Sequence, residues 1–226
     1  GMDPNVFHMN EGHSSFLALE RVRRLMQEKG LDFEAARIAT RASNVFTTHT
    51  PVPAGIDLFP PNLMDQYFSY YWSQLGLDRQ GFFYLGQRGN TGGDRFSMAV
   101  LALELADHVN GVSKIHSQVA RDMWKVLWPQ TPKLEVPIEA ITNGVHAPSW
   151  VSHDMGDLYL RYLGPGWRER PWDKSVWLRV DSIPDAELWR THERRRERLV
   201  SMARERLVDQ LASKGAPTQE ISDARD

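Results

Sequence analysis

The segment FTTHTPVPAG, residues 46–55, joins the end of an apolar run to a turn that contains two prolines and a glycine. The run predicts a β-strand, and the strand stops because proline fixes the backbone and lacks the N–H donor that a strand needs. Thr48, His49 and Thr50 lie at the stop. In α/β proteins, turns at strand ends present side chains and free backbone groups to ligands. The segment therefore predicts a strand of an α/β sheet whose carboxyl end forms part of a binding site.

The same succession of strand, polar turn and helix or proline stop occurs in three other parts of the chain. An apolar run at residues 6–9 precedes NEGHSS and a helical pattern that ends at Gly30, HVNGVS precedes the amphipathic SKIHSQVARDMWKVL, and PIEAITNGVHAPSW runs into a second proline-stopped turn. Strands that alternate with helices predict a largely parallel sheet. The expected fold class is α/β, with a parallel sheet of three or four strands and flanking helices.

Helical periodicity and breaker residues predict the remaining elements. Asp32 is expected to cap a helix over FEAARIATRAS, and FSMAVLALELA is apolar on nearly all sides, which predicts a buried helix. A long helix is expected from about Asp185 until Gly215 and Pro217 end it. Residues 76–95 contain six glycines and are expected to form an irregular loop.

The composition excludes several classes of function. A formal net charge of −2 provides no basic field for nucleic acid, and no apolar run approaches the ~20 residues that a membrane span needs. The chain has no cysteine, which excludes a disulfide framework, thiol catalysis and thiolate zinc sites. We therefore expect a cytoplasmic protein with no nucleic-acid and no membrane partner.

Four polar turns contain the candidate functional residues: residues 10–13, 48–50, 110–112 together with His116, and 142–146. Any one of them alone is explained by a turn or a helix cap, since Asn-Gly is a common turn dipeptide and Ser, Asp and Asn cap helices. In a parallel sheet, however, all four converge on one edge. Amide, carboxylate and hydroxyl groups beside apolar side chains suit a neutral polyhydroxyl ligand, so a carbohydrate is the expected ligand class.

The spacing of the candidate residues does not support two other kinds of site. His8 and His13 are five residues apart across a turn, whereas a zinc-binding helix places its two histidines four residues apart. A serine hydrolase of the α/β type would need a Gly-x-Ser-x-Gly turn, and the sequence contains none.

Four segments also resemble a known family in their order and spacing: HMNEGHSSFLALER, FTTHTPVPAG, HVNGVSKIHSQVARDMW and ITNGVHAPSW. They are similar to the α-glucan phosphorylases of the glycogen, starch and maltodextrin type, in the bacterial branch where Asn-Glu-Gly-His replaces Asn-Asp-Thr-His. The family has the type-B glycosyltransferase fold, in which two Rossmann-like domains enclose the active site. The resemblance implies that residues 3–152 are the C-terminal part of a Rossmann-like N-terminal domain, and that residues 153–226 are an interdomain helical segment with a long C-terminal helix.

The resemblance implies specific roles for residues of the polar turns. Family members cleave α-1,4-glucans with inorganic phosphate and release glucose 1-phosphate, and the phosphate of their pyridoxal phosphate exchanges protons with the substrate phosphate. The implied partners are an α-1,4-glucan or maltooligosaccharide and, for the complete enzyme, inorganic phosphate. The carbonyl of His49 and the side-chain amide of Asn143 would bind the 6-hydroxyl of the reacting glucose, and Val112 would line its apolar face. Glu11 and His13 match the acidic and histidine positions that border the sugar pocket.

The sequence departs from the family pattern at the cofactor. The family's cofactor lysine lies in a Gly-Thr-x-x-x-Met-Lys stretch, and no such stretch occurs here. We therefore expect a fragment with no catalytic, cofactor-binding or metal-binding residue, no bound pyridoxal phosphate, and no phosphorolysis, because that reaction needs two domains around a dry cleft.

Two alternatives to an inactive fragment remain open. One is a stand-alone glucan-binding or regulatory module. The other is a helical interaction protein that docks a partner through residues 185–214. The few strands of the predicted sheet would leave an unpaired edge and apolar faces exposed, which also predicts a homo-oligomer.

Overall fold

The computed structural model describes residues 4–90 and 92–224. It divides into two compact units, Gly1–Asn143 and Gly144–Asp226. The limits of the predicted domains at residues 3 and 226 fall outside the described residues, as does Thr91 of the predicted loop. The strands, all in the first unit, are β1 (Phe7–Asn10), β2 (Asn44–Thr48), β3 (Leu58–Phe59), β4 (Phe96–Ser97), β5 (His108–Gly111) and β6 (Glu139–Ala140).

The first unit contains seven α-helices in its described residues. They are α1 (Phe16–Lys29), α2 (Phe33–Arg41), α3 (Pro61–Phe68), α4 (Tyr71–Gln74), α5 (Arg79–Gln87), α6 (Met98–Leu105) and α7 (Lys114–Trp124). The side chain of Asp32 caps α2 by accepting a hydrogen bond from the Ala35 N–H at 2.8 Å, as predicted. Gly30 ends α1 in the left-handed conformation that glycine adopts at helix ends.

The main sheet has the strand order β1-β2-β5-β6, and every neighbouring pair is parallel. Asn10 pairs with Thr47, Thr48 pairs with Gly111, and Gly111 pairs with Ala140. β3 and β4 form a separate antiparallel pair. The predicted α/β fold with a partial Rossmann-like parallel sheet and flanking helices is confirmed.

The apolar core of the first unit is built around α6. Every residue of α6 except Glu104 is buried, as the all-round apolar pattern predicts. Met9 and Phe46 contribute from the sheet, and Leu19 contributes from α1; all three are 0% exposed. The sheet and its helices therefore form one core that fixes the positions of the strand ends.

The prediction of an irregular loop over residues 76–95 is wrong. Residues 79–87 form α5, whose N-terminus is capped by Asp78 through a 2.7 Å hydrogen bond from the Gly81 N–H. Gly86 does not break the helix; it makes room, because a Cβ on it would lie only 2.6 Å from the ring of Phe96. Glycine content alone therefore could not separate a loop from a helix that packs closely.

The second unit is helical. It contains α8 (Ala147–Trp150), α9 (His153–Leu163), α10 (Gly166–Glu169), α11 (Lys174–Trp177), α12 (Asp185–Ser213) and α13 (Thr218–Asp223). Its small core consists of Met155, Leu158, Leu163, Trp167, Val176 and Ile183. The long helix α12 is present as predicted, and Thr191 is its buried residue. Within the described part of the chain, no helix combines the length and the apolar character that a membrane span requires.

Candidate functional site

The four predicted polar turns lie at one edge of the main sheet. Because β1, β2, β5 and β6 are all parallel, their carboxyl ends point the same way. Glu11 directly follows β1, His49 follows β2, Val112 follows β5, and Asn143 lies three residues beyond β6. We call this edge, with residues 10–13, 48–50, 110–113 and 141–143, the sheet rim.

Glu11 ties two of the strand ends together. Its Oε2 accepts hydrogen bonds from the backbone N–H of His49 at 2.7 Å, and from the N–H and the hydroxyl of Thr50, both at 3.0 Å. Its Oε1 accepts from the Gly12 N–H at 3.1 Å. Its own N–H donates to the carbonyl of Thr47 at 2.8 Å. These contacts fix the turn after β2 against the turn after β1.

The backbone of Glu11 adopts an unusual conformation, with φ 75° and ψ 167°. This region is populated almost exclusively by glycine, and a residue with a side chain persists there only when the surrounding contacts enforce it. The next residue, Gly12, is needed for close packing, since a Cβ on it would lie 3.0 Å from the Ala99 N atom in α6. The turn is therefore held from both sides, by the core and by the sheet.

His49 offers both its ring and its backbone at the rim. The side chain is exposed, and its Nε2 lies 2.5 Å from Asn10 Oδ1, so that Nε2 carries the proton and the amide oxygen accepts it. Among the described residues, no donor makes a hydrogen bond to the His49 carbonyl oxygen. The turn thus leaves a backbone acceptor for a ligand.

A row of polar side chains crosses β1, β2 and β5 just behind the rim. His8 Nε2 donates to Thr47 Oγ1 at 2.7 Å, and Thr47 Oγ1 donates to Asn110 Oδ1 at 2.7 Å. Thr47 and Asn110 are both buried. Because buried polar groups need partners, this row fixes the orientation of the Asn110 amide.

Val112 and Asn143 are joined on the other side of the rim. The Asn143 N–H donates to the Val112 carbonyl at 3.1 Å, and the Ile141 N–H donates to the Gly111 carbonyl at 3.1 Å. These bonds continue the parallel pairing beyond β6. Val112 is partly buried, whereas Asn143 is exposed. An apolar side chain and an amide therefore lie on neighbouring stretches of chain.

His116 supports the turn that carries Val112. Its Nδ1 accepts a hydrogen bond from the Val112 N–H at 3.2 Å, which places the ring proton on Nε2. Ser113 caps α7 by accepting from the His116 N–H at 3.0 Å. A side chain at position 111 would meet His116 Nδ1 at 2.8 Å, so only glycine fits there.

Two buried polar atoms close to Gly111 have no hydrogen-bond partner among the described residues. They are Nε2 of His116 and Oγ1 of Thr48. Residue His116 is 8% exposed and residue Thr48 is 0% exposed, and Thr48 pairs in register with Gly111. Buried polar groups without a partner are rare in folded proteins, and they cost free energy of folding. Three further atoms in the described part of the chain share this property, Nε of Arg41 and Nε1 of Trp124 and Trp167, so it does not by itself single out the rim.

The remaining predicted residue, His13, is exposed on the short helical turn Gly12–Ser14. The structure thus brings all five predicted residues to the same edge, with Glu11 bonded to His49 and Asn143 bonded to Val112. Their roles toward a sugar remain predictions. The sequence patterns did not single out Thr47; alternation along the strand could have identified it.

The rim combines groups that suit a ligand with many hydroxyls. Acceptors, amide groups and imidazole nitrogens lie beside the apolar side chain of Val112, and a sugar hydroxyl both donates and accepts hydrogen bonds. Within residues 4–90 and 92–224, no three His, Asp or Glu side chains are grouped so that they could share a metal ion.

The chain is similar to glucan phosphorylases over nearly its whole length. It is 38% identical to the maltodextrin phosphorylase of Thermococcus litoralis over 209 residues, which cover 92% of the chain and 24% of the relative. It is 40% identical to the glycogen phosphorylase of Mycobacterium tuberculosis over 224 residues, or 96% of the chain and 25% of the relative. For the glycogen phosphorylase of Aquifex aeolicus the identity is 36% over 216 residues, or 94% and 31%.

The chain thus spans between 24% and 31% of the length of these relatives. No protein-family model matches it. With identities of 36% to 40% over nearly all of its residues, the chain belongs to the α-glucan phosphorylase family and corresponds to a segment of those longer relatives.

Proposed function

We propose that this chain supplies the sugar-binding edge of an α-1,4-glucan phosphorylase. Such an enzyme is a hexosyltransferase that uses inorganic phosphate to release glucose 1-phosphate from the end of an α-1,4-glucan. The proposal rests on one observation above all: four strand ends from distant parts of the chain converge on the sheet rim and are bonded to each other there.

The chemistry of the rim supports a glucose unit as the ligand. The free carbonyl of His49 accepts a hydrogen bond from a hydroxyl, and the exposed amide of Asn143 both donates and accepts. Val112 offers apolar surface to the C–H face of the sugar ring. We assign the 6-hydroxyl of the reacting glucose to His49 and Asn143, and we place Glu11 and His13 at the border of the same pocket. On this proposal, residues 3–152 are the C-terminal part of a Rossmann-like N-terminal domain, and residues 153–226 are an interdomain helical segment.

The residues of this chain do not fit pyridoxal phosphate. The cofactor's aldehyde needs a lysine amine that is held in a pocket. None of the six lysines of the sequence is buried, and five of them are exposed: Lys29, Lys114, Lys133, Lys174 and Lys214. Lys125, the one that is partly buried, donates to the carbonyls of Trp128 and Pro129 at 2.8 and 3.1 Å. We therefore assign no step of the reaction to a cofactor on these residues, and we expect the 226-residue chain by itself to lack phosphorolysis.

Titration of the chain with maltoheptaose in a calorimeter tests the proposal. Binding in the micromolar range would support a sugar-binding rim and favour a module that works without a second domain. Phosphorolysis is tested separately, by measuring glucose 1-phosphate from maltoheptaose and phosphate. Absence of any maltoheptaose binding at millimolar sugar would contradict the assignment of the rim in this chain.

Asn143→Ala is the first variant to compare with the unchanged chain. It removes an exposed amide that we assign to the 6-hydroxyl, and loss of one such hydrogen bond weakens binding by roughly threefold to tenfold. Asn62→Ala is the matched control, because Asn62 is also exposed but lies in α3. Equal losses in the two variants would contradict the role of Asn143. Light scattering on the same samples tests the expected homo-oligomer.

A further inference from the structure

We propose that Glu11 is a positioning residue: its carboxylate aims the His49 carbonyl at the sheet rim and does not itself bind the sugar. The sugar-related part of this inference rests on the proposed function. The positioning itself rests on contacts within the chain, which involve β1, β2 and the turns that follow them.

The Oε2 atom of Glu11 is fully used by the turn after β2. A carboxylate offers about four lone-pair directions, two on each oxygen. Three donors share Oε2, namely the N–H groups of His49 and Thr50 and the hydroxyl of Thr50, at 2.7 to 3.0 Å. Oε1 accepts from the Gly12 N–H at 3.1 Å. The oxygen that faces the turn after β2 is therefore committed to the protein.

The peptide bond between His49 and Thr50 determines where the His49 carbonyl points. The described part of the chain contains no cis peptide bond, so the C=O of this unit points opposite to its N–H. The N–H of Thr50 points at Glu11 Oε2. The carbonyl of His49 consequently points away from Glu11, and no donor among the described residues makes a hydrogen bond to it. Glu11 thereby sets the direction of the acceptor that we assign to the sugar.

The backbone of Glu11 is strained. Its φ of 75° and ψ of 167° lie in a region where a glycine would be unstrained. The strain persists because the N–H of Glu11 is bonded to Thr47 and its carbonyl accepts from the Ser14 hydroxyl at 2.9 Å. A strained residue whose Oε2 accepts three hydrogen bonds from one neighbouring turn is explained by the need to hold that turn.

The experiment measures amide hydrogen exchange by NMR in the chain and in Glu11→Gln. The glutamine keeps the shape of the side chain but replaces one acceptor oxygen by an NH₂ group, which cannot accept from an N–H. Loss of charge-assisted bonds predicts exchange at the His49 and Thr50 amides that is faster by about tenfold or more. Glu28→Gln is the control, because the Glu28 carboxylate is exposed and pairs with Arg24 at 3.4 Å. It should leave these two amides unchanged.

A second measurement separates positioning from direct sugar contact. Maltoheptaose is compared with an analogue whose terminal glucose is 6-deoxy, in the chain and in Glu11→Gln. If Glu11 acts only through the His49 carbonyl, the substitution weakens binding of maltoheptaose but has little further effect on the 6-deoxy analogue. Weakening of both sugars by the same factor, with unchanged exchange at His49 and Thr50, would overturn the inference.

The role of Glu11 can be tested even if the chain does not bind sugar or if the Glu11→Gln variant does not fold. If the unchanged chain binds no maltoheptaose, the proposed function fails, and the exchange rates alone decide whether Glu11 holds the turn. If Glu11→Gln does not fold, Thr50→Val replaces it, because it removes only the hydroxyl donor. Thr50→Val should speed exchange at the same two amides by a smaller factor, and unchanged rates there would overturn the inference.

Discussion

Two helices of this protein, α6 and α12, are stabilised in opposite ways. α6 has eight residues and buries all of them except Glu104, whereas α12 has 29 residues and buries only Thr191 among those described. In α12 the large apolar side chains Leu199 and Leu207 are 59% and 44% exposed. Packing therefore determines where α6 lies, while propensity, terminal charges and surface pairs stabilise α12. The effect of a substitution in this protein should therefore depend on the burial of the residue and not on whether it lies in a helix or a strand.

The largest difference is expected between Leu101→Ala in α6 and Leu207→Ala in α12. Leu101 is 0% exposed, so its truncation leaves a cavity in the core and should lower the free energy of unfolding by about 2–5 kcal/mol. Leu207 is 44% exposed, and its truncation should cost less than about 0.5 kcal/mol. Urea unfolding followed by circular dichroism measures both. A cost at Leu207 equal to that at Leu101 would mean that another surface covers α12 in solution.

Gly86→Ala in α5 adds a methyl group at a closely packed position of a helix. In an exposed helix, replacing glycine by alanine stabilises by about 1 kcal/mol. At Gly86 the new Cβ would lie 2.6 Å from the Phe96 ring, so overpacking should reverse the sign and destabilise by roughly 1–3 kcal/mol. Ser201→Ala in α12 is the exposed counterpart and should stabilise by at most about 0.5 kcal/mol. A stabilising Gly86→Ala would show that Phe96 can move aside without cost.

The same contrast explains what the sequence could predict about the fold. Periodicity identified α6, because a helix that is apolar on all sides has few alternatives to burial. Capping and helix-ending residues helped to identify α1, α2 and α12; for example, Asp32 caps α2 and Gly30 ends α1. Periodicity failed for α5, because Gly86 serves the close approach of Phe96, and that neighbour is known only from the folded structure.

The candidate site was predictable in its location and not in its internal bonding. The rule that parallel strands present their carboxyl ends at one edge located the turns around His49 and Asn143. The positive φ of Glu11 and its four hydrogen bonds have no sequence signal, because Asn-Glu-Gly reads equally as an ordinary turn. The same holds for the proton on His116 Nε2, which follows from the hydrogen bond that Nδ1 accepts from Val112.

Helix caps are expected to have an intermediate effect. Asp78 accepts a 2.7 Å hydrogen bond from the Gly81 N–H at the start of α5, and Asp78→Ala should cost about 1 kcal/mol. α12 has Pro184 at the equivalent position, with no side-chain cap, so Pro184→Ala loses no such bond. The difference between the two variants in urea unfolding measures the cap. Restoration of most of the loss by Asp78→Asn would support it, since asparagine also accepts at this position. An equal loss in Asp78→Asn would contradict it.

The smallest change in the free energy of unfolding is expected for an exposed ion pair, a contact that α12 also makes. In α1, Glu20 accepts two hydrogen bonds from Arg23, at 2.6 and 2.7 Å, and one from the Tyr71 hydroxyl at 3.2 Å. The hydrogen bond from Arg23 is the main cause that lowers the pKa of Glu20 below its ordinary value of 4.5, although partial burial opposes it. Burial and the charge of Glu20 raise the pKa of Tyr71, so its hydroxyl keeps the proton that it donates.

A carboxylate whose pKa is lower in the folded state stabilises the fold above its ordinary pKa, and this stabilisation is lost as the pH falls through 4.5 toward the folded-state value. Because the side chain of Glu20 is 43% exposed, solvent screens the pair and limits its contribution to about 0.5–1 kcal/mol. Glu20→Gln should therefore be less stable than the unchanged chain by this amount at neutral pH, and the gap should narrow in acid. Urea unfolding of both proteins across the acid range tests this, and a gap that widens as the pH falls would contradict the lowered pKa. A gap several times larger at neutral pH would instead show that this surface contact contributes as much as a buried residue of α6, which would break the contrast between the two helices.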